Sequence, residues 1–211
     1  MNKTRLENLS DGVFAIVMTL LIIDIKVPDS HGVHITNMEL WQRLWDLWPV
    51  FRSYVISFIV LGMYWMSHHA LFHLFAKNVN RVFANKNNLF LMFLALIPFS
   101  AHLLGQYPYN ELAVIIYGIN IILLGITFTL MYSYVIANKE LVYENLPRRL
   151  YVQATIRVLL TPSFAFLGIL VCFYNVSLSF FLFAFPIVFN IIPGTLDGLE
   201  RVYLKIRGTK K

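Results

Sequence analysis

Residues 5–24 read Arg5-Leu6-Glu7-Asn8-Leu9-Ser10-Asp11-Gly12-Val13-Phe14-Ala15-Ile16-Val17-Met18-Thr19-Leu20-Leu21-Ile22-Ile23-Asp24. About 20 mostly apolar residues are enough to cross a bilayer as a helix. A segment from about Leu6 to Val27 meets that length, and Pro28, Asp29, Ser30 and Gly32 close it. On a wheel of about 100° per residue with Ile16 at zero, Leu20 falls at about +40°, Ile23 at about −20°, Gly12 at about −40° and Thr19 at about −60°. Ser10, at about +120°, and Asp11, at about −140°, point the other way. A carboxylate in or near hydrocarbon needs partners, so Asp11 is expected to face other helices of its own subunit. The apolar stripe is left on the opposite side. It either meets lipid and neighbouring helices, or lines an axis where several copies form a constriction that gates by dewetting.

The remainder of the chain is written for the same solvent. Of 211 residues, 58% are hydrophobic and 13% charged, against roughly a quarter charged in a soluble domain, and mean hydropathy is +0.66. This excludes a disordered chain, and it argues against a nucleic-acid partner despite the net charge of +6. A single cysteine, Cys172, excludes an intrachain disulfide or a thiolate metal cluster within one chain. The first apolar stretch lacks a small-residue cleavage site and reads as a mature helix rather than a signal peptide.

Beyond the first segment, five more read as membrane helices: about Trp48–Phe75, Asn87–Leu104, Leu112–Ile136, Tyr151–Phe173 and Ser177–Ile192, with a helical extension after Gly194. Residues 27–48 are expected to lie along the outer surface, anchored by Trp41, Trp45 and Trp48. Lys3, Arg5, Lys77, Arg81, Lys86, Lys139, Arg148, Arg149, Arg201, Lys205, Arg207, Lys210 and Lys211 place 13 of 17 basic residues on one side. The positive-inside bias makes that side cytoplasmic. Residues 1–211 thus read as one all-α integral membrane domain of six transmembrane helices with both termini in the cytoplasm.

The candidate partners of Asp11 lie at the same depth. The second segment offers Trp65, Ser67, His68, His69 and His73, and the approach to the third offers Asn85, Asn87 and Asn88. Imidazole, indole N–H and amide groups would satisfy a buried carboxylate. Two roles stay open, a structural polar lock and a proton relay. His69 and His73, four apart, share a helix face as metal ligands can. There is no HExxH and no carboxylate-rich cluster, so they are read as interface histidines and no metal site is assigned. Ser163 and Ser177 lack a histidine nearby in sequence, and no Gly-rich phosphate loop is present. An enzyme is not expected, and no cofactor is called for. Regularly spaced arginines of a voltage sensor are also absent.

These residues resemble a known family. Arg5-xxx-Leu9-Ser10-Asp11, continued by Gly12-Val13-Phe14-Ala15-Ile16 and Thr19-Leu20-Leu21, is similar to the Arg-xxx-Phe-Ser-Asp signature of the bacterial relatives of the lysosomal potassium channel, transmembrane protein 175. Trp65-Met66-Ser67-His68-His69-Ala70-Leu71-Phe72 and the run from Asn88 to Ser100 resemble that family's second and third helices. Leu9 departs from the family's Phe. The resemblance implies a homotetrameric cation channel of the bacterial plasma membrane in which four first helices line the pore. The family lacks a Thr-Val-Gly-Tyr-Gly filter, as does this chain. Its ring of large aliphatic side chains carries over to Ile16, with Leu20 and Ile23 further out, and Thr19 supplies a pore-lining hydroxyl. The Ser-Asp pair of the polar network carries over to Ser10 and Asp11, with Trp65, His68 or His69, and Asn88 as partners; Arg5, at about −20° on the wheel, either bonds outward to this network or sits at the inner mouth of the stripe. The expected function is a leak-type potassium-permeable channel passing monovalent cations. A proton-coupled transporter using Asp11 and a helix-two histidine is the alternative, and Asp24 and Asp29 are candidates to concentrate cations at the outer end.

Overall fold

Helix α1, Lys3–Ile23, buries Leu6, Ser10, Phe14, Val17 and Leu21. That three- and four-residue spacing is one face of a helix, and it is the face opposite the Ile16 stripe. In the computed structural model, residues 2–23, 25–29, 32, 34–144 and 146–191 are described, with side chains to Pro186. Asp24, Ser30, the extension after Gly194 and the basic residues Arg201, Lys205, Arg207, Lys210 and Lys211 lie outside the described residues.

Among the described residues every extended element is a helix: α2 Asn37–Asp46, α3 Trp48–Ala70, α4 Arg81–Ala95, α5 Ile97–Gln106, α6 Glu111–Ala137, α7 Arg148–Cys172 and α8 Val176–Ile191. Helix α3 runs on into a π-helical turn, Leu71–Phe75. Five units are long and apolar enough to cross a membrane: α1, α3 with its π turn, α4 with α5, α6 and α7. The predicted sixth segment is α8, which is described over 16 residues up to Ile191.

The predicted third helix, Asn87–Leu104, is two helices. Pro98 stands in the first turn of α5, where its missing N–H costs nothing, and the chain bends at Leu96, between α4 and α5. Pro162 is instead accommodated inside α7. Its ring packs on Gly125 of α6, where an added Cβ would lie 2.7 Å from ring carbons. A pyrrolidine ring cannot swing aside, so Gly125→Ala forces α6 and α7 apart. The expected cost is about 1–3 kcal/mol, read as a lower unfolding temperature of the purified protein.

Helix α2 was expected only as a surface segment. It starts on a capping box: Thr36 Oγ1 accepts from Glu39 N (3.3 Å), and Thr36 N donates to Glu39 Oε2 (2.7 Å). The bonds from the Thr36 backbone and hydroxyl hold the Glu39 carboxyl below its usual range. No residue of α2 is buried. Trp41, Trp45, Trp48, Phe51, Tyr54 and Phe58 form a ladder with successive ring centroids 5.8–6.4 Å apart. Exposed Trp rings suit a membrane interface.

The core is aromatic, with Phe14, Phe72, Phe83, Phe90, Tyr117 and Phe128 fully buried. Small polar groups tie the helices together. Ser53 Oγ donates to Ala101 O at 2.6 Å, Ser57 Oγ lies 3.1 Å from Tyr117 Oη, and Asn120 Nδ2 donates to Ser100 Oγ at 3.0 Å. At one end a β-bridge pairs Ala76 with Val142, Tyr143 N donates to Phe75 O at 3.0 Å, and Lys3 Nζ donates to Ala76 O at 2.8 Å. The start of the chain and the basic loops around Lys77 and Lys139 therefore share one end of the molecule, in agreement with the charge pattern.

Candidate functional site

Helix α1 has two distinct faces. Toward α3 and α4 it presents a polar seam that begins at Ser10, which is fully buried. Its hydroxyl donates to Leu6 O at 3.0 Å and its oxygen accepts from Asn87 Nδ2 at 3.0 Å. Asn87 Oδ1 lies 2.8 Å from His68 Nε2. An amide oxygen only accepts, so His68 carries its proton on Nε2. Phe72, Phe90 and Phe14 enclose the imidazole at centroid distances of 4.6, 5.8 and 5.7 Å, and Nδ1 is buried without a hydrogen-bond partner. The result is a one-way chain of donors from α3 through α4 to the backbone of α1.

The seam continues along α1 at four-residue intervals. Asp11 Oδ1 accepts from Trp65 Nε1 at 2.9 Å. Glu7 Oε1 lies 2.6 Å from His73 Nε2 and 3.7 Å from His69 Nδ1. Antiparallel helices meeting at i, i+4 positions bring such pairs into register.

Of the residues expected in the polar network, Trp65, His68, Ser10 and Asp11 come together along this seam, and Asp11 faces α3 of its own subunit. Three other residues of the expected network lie apart from these bonds. Asn88 is on the exposed side of α4, and Asn87, one residue earlier, makes the bonds. The signal was present: Phe83, Ala84, Asn87, Phe90, Leu91 and Leu94 form the buried stripe of α4. Arg5 is exposed on the same side of α1 as Ile16, and no described bond joins its guanidinium to the network. His69 belongs with Glu7 and His73 rather than with Asp11. Glu7 went unassigned, although at about 180° on the wheel it lies on the side of Asp11.

The other face of α1 is its exposed face among the described residues. Ile16, Leu20 and Ile23 are 60%, 43% and 65% exposed. Thr19 is exposed too, and its hydroxyl donates to its own helix, at Ile16 O (2.8 Å) and Ala15 O (3.0 Å). A Cβ at Gly12 would meet nothing within 4 Å.

The fold and the seam define a multi-helix membrane protein whose first helix is clamped on one side and open on the other. Residues 5–98 match the family model described as the endosomal/lysosomal potassium channel TMEM175. The chain is 31% identical over 174 residues to a potassium channel of Chryseobacterium sp., covering 82% of this chain and 84% of that one. It is 38% identical over 133 residues to a potassium channel of Streptomyces collinus, covering 61% of this chain and 62% of that one. Human TMEM175, named an endosomal/lysosomal proton channel, is 35% identical over 137 residues, 27% of its length. A crystal structure of a lysosomal potassium-selective channel TMEM175 homolog from Chamaesiphon minutus superposes with a TM-score of 0.75 at 27% identity, covering 89% of this chain and 95% of that one. The chain belongs to the TMEM175 family.

Proposed function

We propose that this chain is a leak-type, potassium-permeable cation channel of a bacterial plasma membrane. It acts as a homotetramer in the lipid bilayer, with six transmembrane helices per subunit, both termini cytoplasmic and α1 lining the pore. The observation that carries the reading is the division of α1. One face is fixed by hydrogen bonds to α3 and α4, while the other leaves Ile16, Leu20 and Ile23 exposed among the described residues. Around an axis, these side chains make a bore narrow and apolar enough to expel water, and ions stop when the water does. Thr19 adds a ring of hydroxyl oxygens between them. No cofactor enters the cycle, and the permeant ion is K⁺.

Relatives named potassium channels support the permeant ion. Relatives named proton channels keep proton movement in view, and a proton-coupled transporter using Asp11 and a helix-two histidine is the second reading. The geometry favours it less. Asp11 bonds the Trp65 indole, and among the described hydrogen bonds none joins Asp11 directly to a histidine.

Liposomes containing the purified protein test the reading. Potassium leaves them passively and non-saturably down its gradient, faster than sodium, while choline is retained. Saturable uptake that follows an imposed pH gradient, with no passive potassium flux, would replace the channel with the transporter.

A further inference from the structure

Glu7, His69 and His73 gather a carboxylate and two imidazoles where α1 meets the last turns of α3, apart from the Ser10–Asn87–His68 chain. Their ligand atoms, one from each residue, all lie within 4.8 Å of one another. We propose that they form a binding site for a borderline divalent transition metal of the Zn²⁺ class, a clamp between the two helices.

The donor set selects the metal. Two imidazole nitrogens and one carboxylate oxygen suit Zn²⁺ or Co²⁺, whereas Mg²⁺ and Ca²⁺ prefer all-oxygen shells. Bonds of about 2.1 Å in a tetrahedral site place ligand atoms about 3.4 Å apart. Glu7 Oε1 brackets that spacing, at 2.6 Å from His73 Nε2 and 3.7 Å from His69 Nδ1, so side-chain adjustment admits the ion and leaves a fourth position for water.

The surroundings hold the ligands in place. The Glu7 side chain is only 13% exposed, while the two histidines are about half exposed, which fixes the anion and opens a route for the ion. The imidazoles lie 4.2 Å apart, and the Trp65 indole stacks on His69 at 6.0 Å. Lys3, four residues before Glu7, spends its ammonium on Ala76 O at 2.8 Å. His73 sits within the π turn Leu71–Phe75, a wider turn of the kind found at functional sites.

The test uses the full chain in lipid nanodiscs, stripped of metal and of any purification tag, and titrated with Co²⁺. The expected result is the intense visible absorption of tetrahedral Co²⁺ at one ion per chain, abolished by Zn²⁺. His69→Gln and His73→Gln each weaken binding by at least about tenfold, while His34→Gln on the distant loop leaves it unchanged. Zn²⁺ also raises the unfolding temperature of the unmodified chain, as a ligand of the native state must; this readout stands if a variant fails to fold. Absence of both the tetrahedral spectrum and the thermal shift in the unmodified chain overturns the site. Binding insensitive to both histidine substitutions overturns it as well, and leaves Glu7 in ordinary ion pairs.

Discussion

Asn87→Leu is expected to destabilise the subunit by about 2–4 kcal/mol, the cost of two buried polar groups losing their partner. The Asn87 side chain donates a hydrogen bond to Ser10 Oγ and accepts one from His68 Nε2, and all three residues are fully buried. Leucine has similar bulk and no polar atom, so space is filled while an imidazole N–H is stranded inside a cage of phenylalanines. Thermal unfolding and the yield of assembled protein report the loss. Asn88→Leu is the control. Its side chain lies on the exposed side of α4, so an effect of at most about 0.5 kcal/mol is expected. Equal losses from the two substitutions would show that α4 is rotated relative to the arrangement described above.

Ile16→Asn is expected to raise cation flux by at least about tenfold, equivalent to lowering the barrier by about 1.4 kcal/mol. The prediction rests on the channel reading. An isoleucine ring expels water from a narrow bore, while a carboxamide ring holds water there and lets a partly hydrated ion remain solvated. The expected change in subunit stability is small, because Ile16 is 60% exposed. Flux from liposomes, measured beside the unfolding temperature, separates the two effects. Unchanged permeation by a folded variant would remove Ile16 from the pore.

The stretch that opens the chain disclosed its own geometry because one straight helix obeys one period. The buried set Leu6, Ser10, Phe14, Val17 and Leu21 and the open set around Ile16 follow from about 100° per residue. What escaped the sequence were departures from that regularity. Pro98 starts a new helix whereas Pro162 and Pro186 stay inside theirs, and the local sequence does not tell them apart, since a neighbouring helix can satisfy freed backbone groups. His69 and His73 do share the face that their four-residue spacing predicts, and what the pattern of that helix could not show was Glu7, which joins them from α1. Choosing Asn88 over Asn87 came from leaving the Phe83–Leu94 stripe unread.

Thr19 bears on a different discrimination, that between the signs of charge. Its only hydroxyl proton is committed to the carbonyls of Ile16 and Ala15. What the side chain turns outward is therefore an oxygen with free electron pairs and no hydrogen to give. A chloride ion seeking a donor finds none there, while a cation finds the negative end of a dipole already oriented by the helix that carries it. On the channel reading, the same bond that quiets the hydroxyl leaves the stretch of α1 from Ile16 to Ile23 with no side-chain donor for an anion and no formal charge.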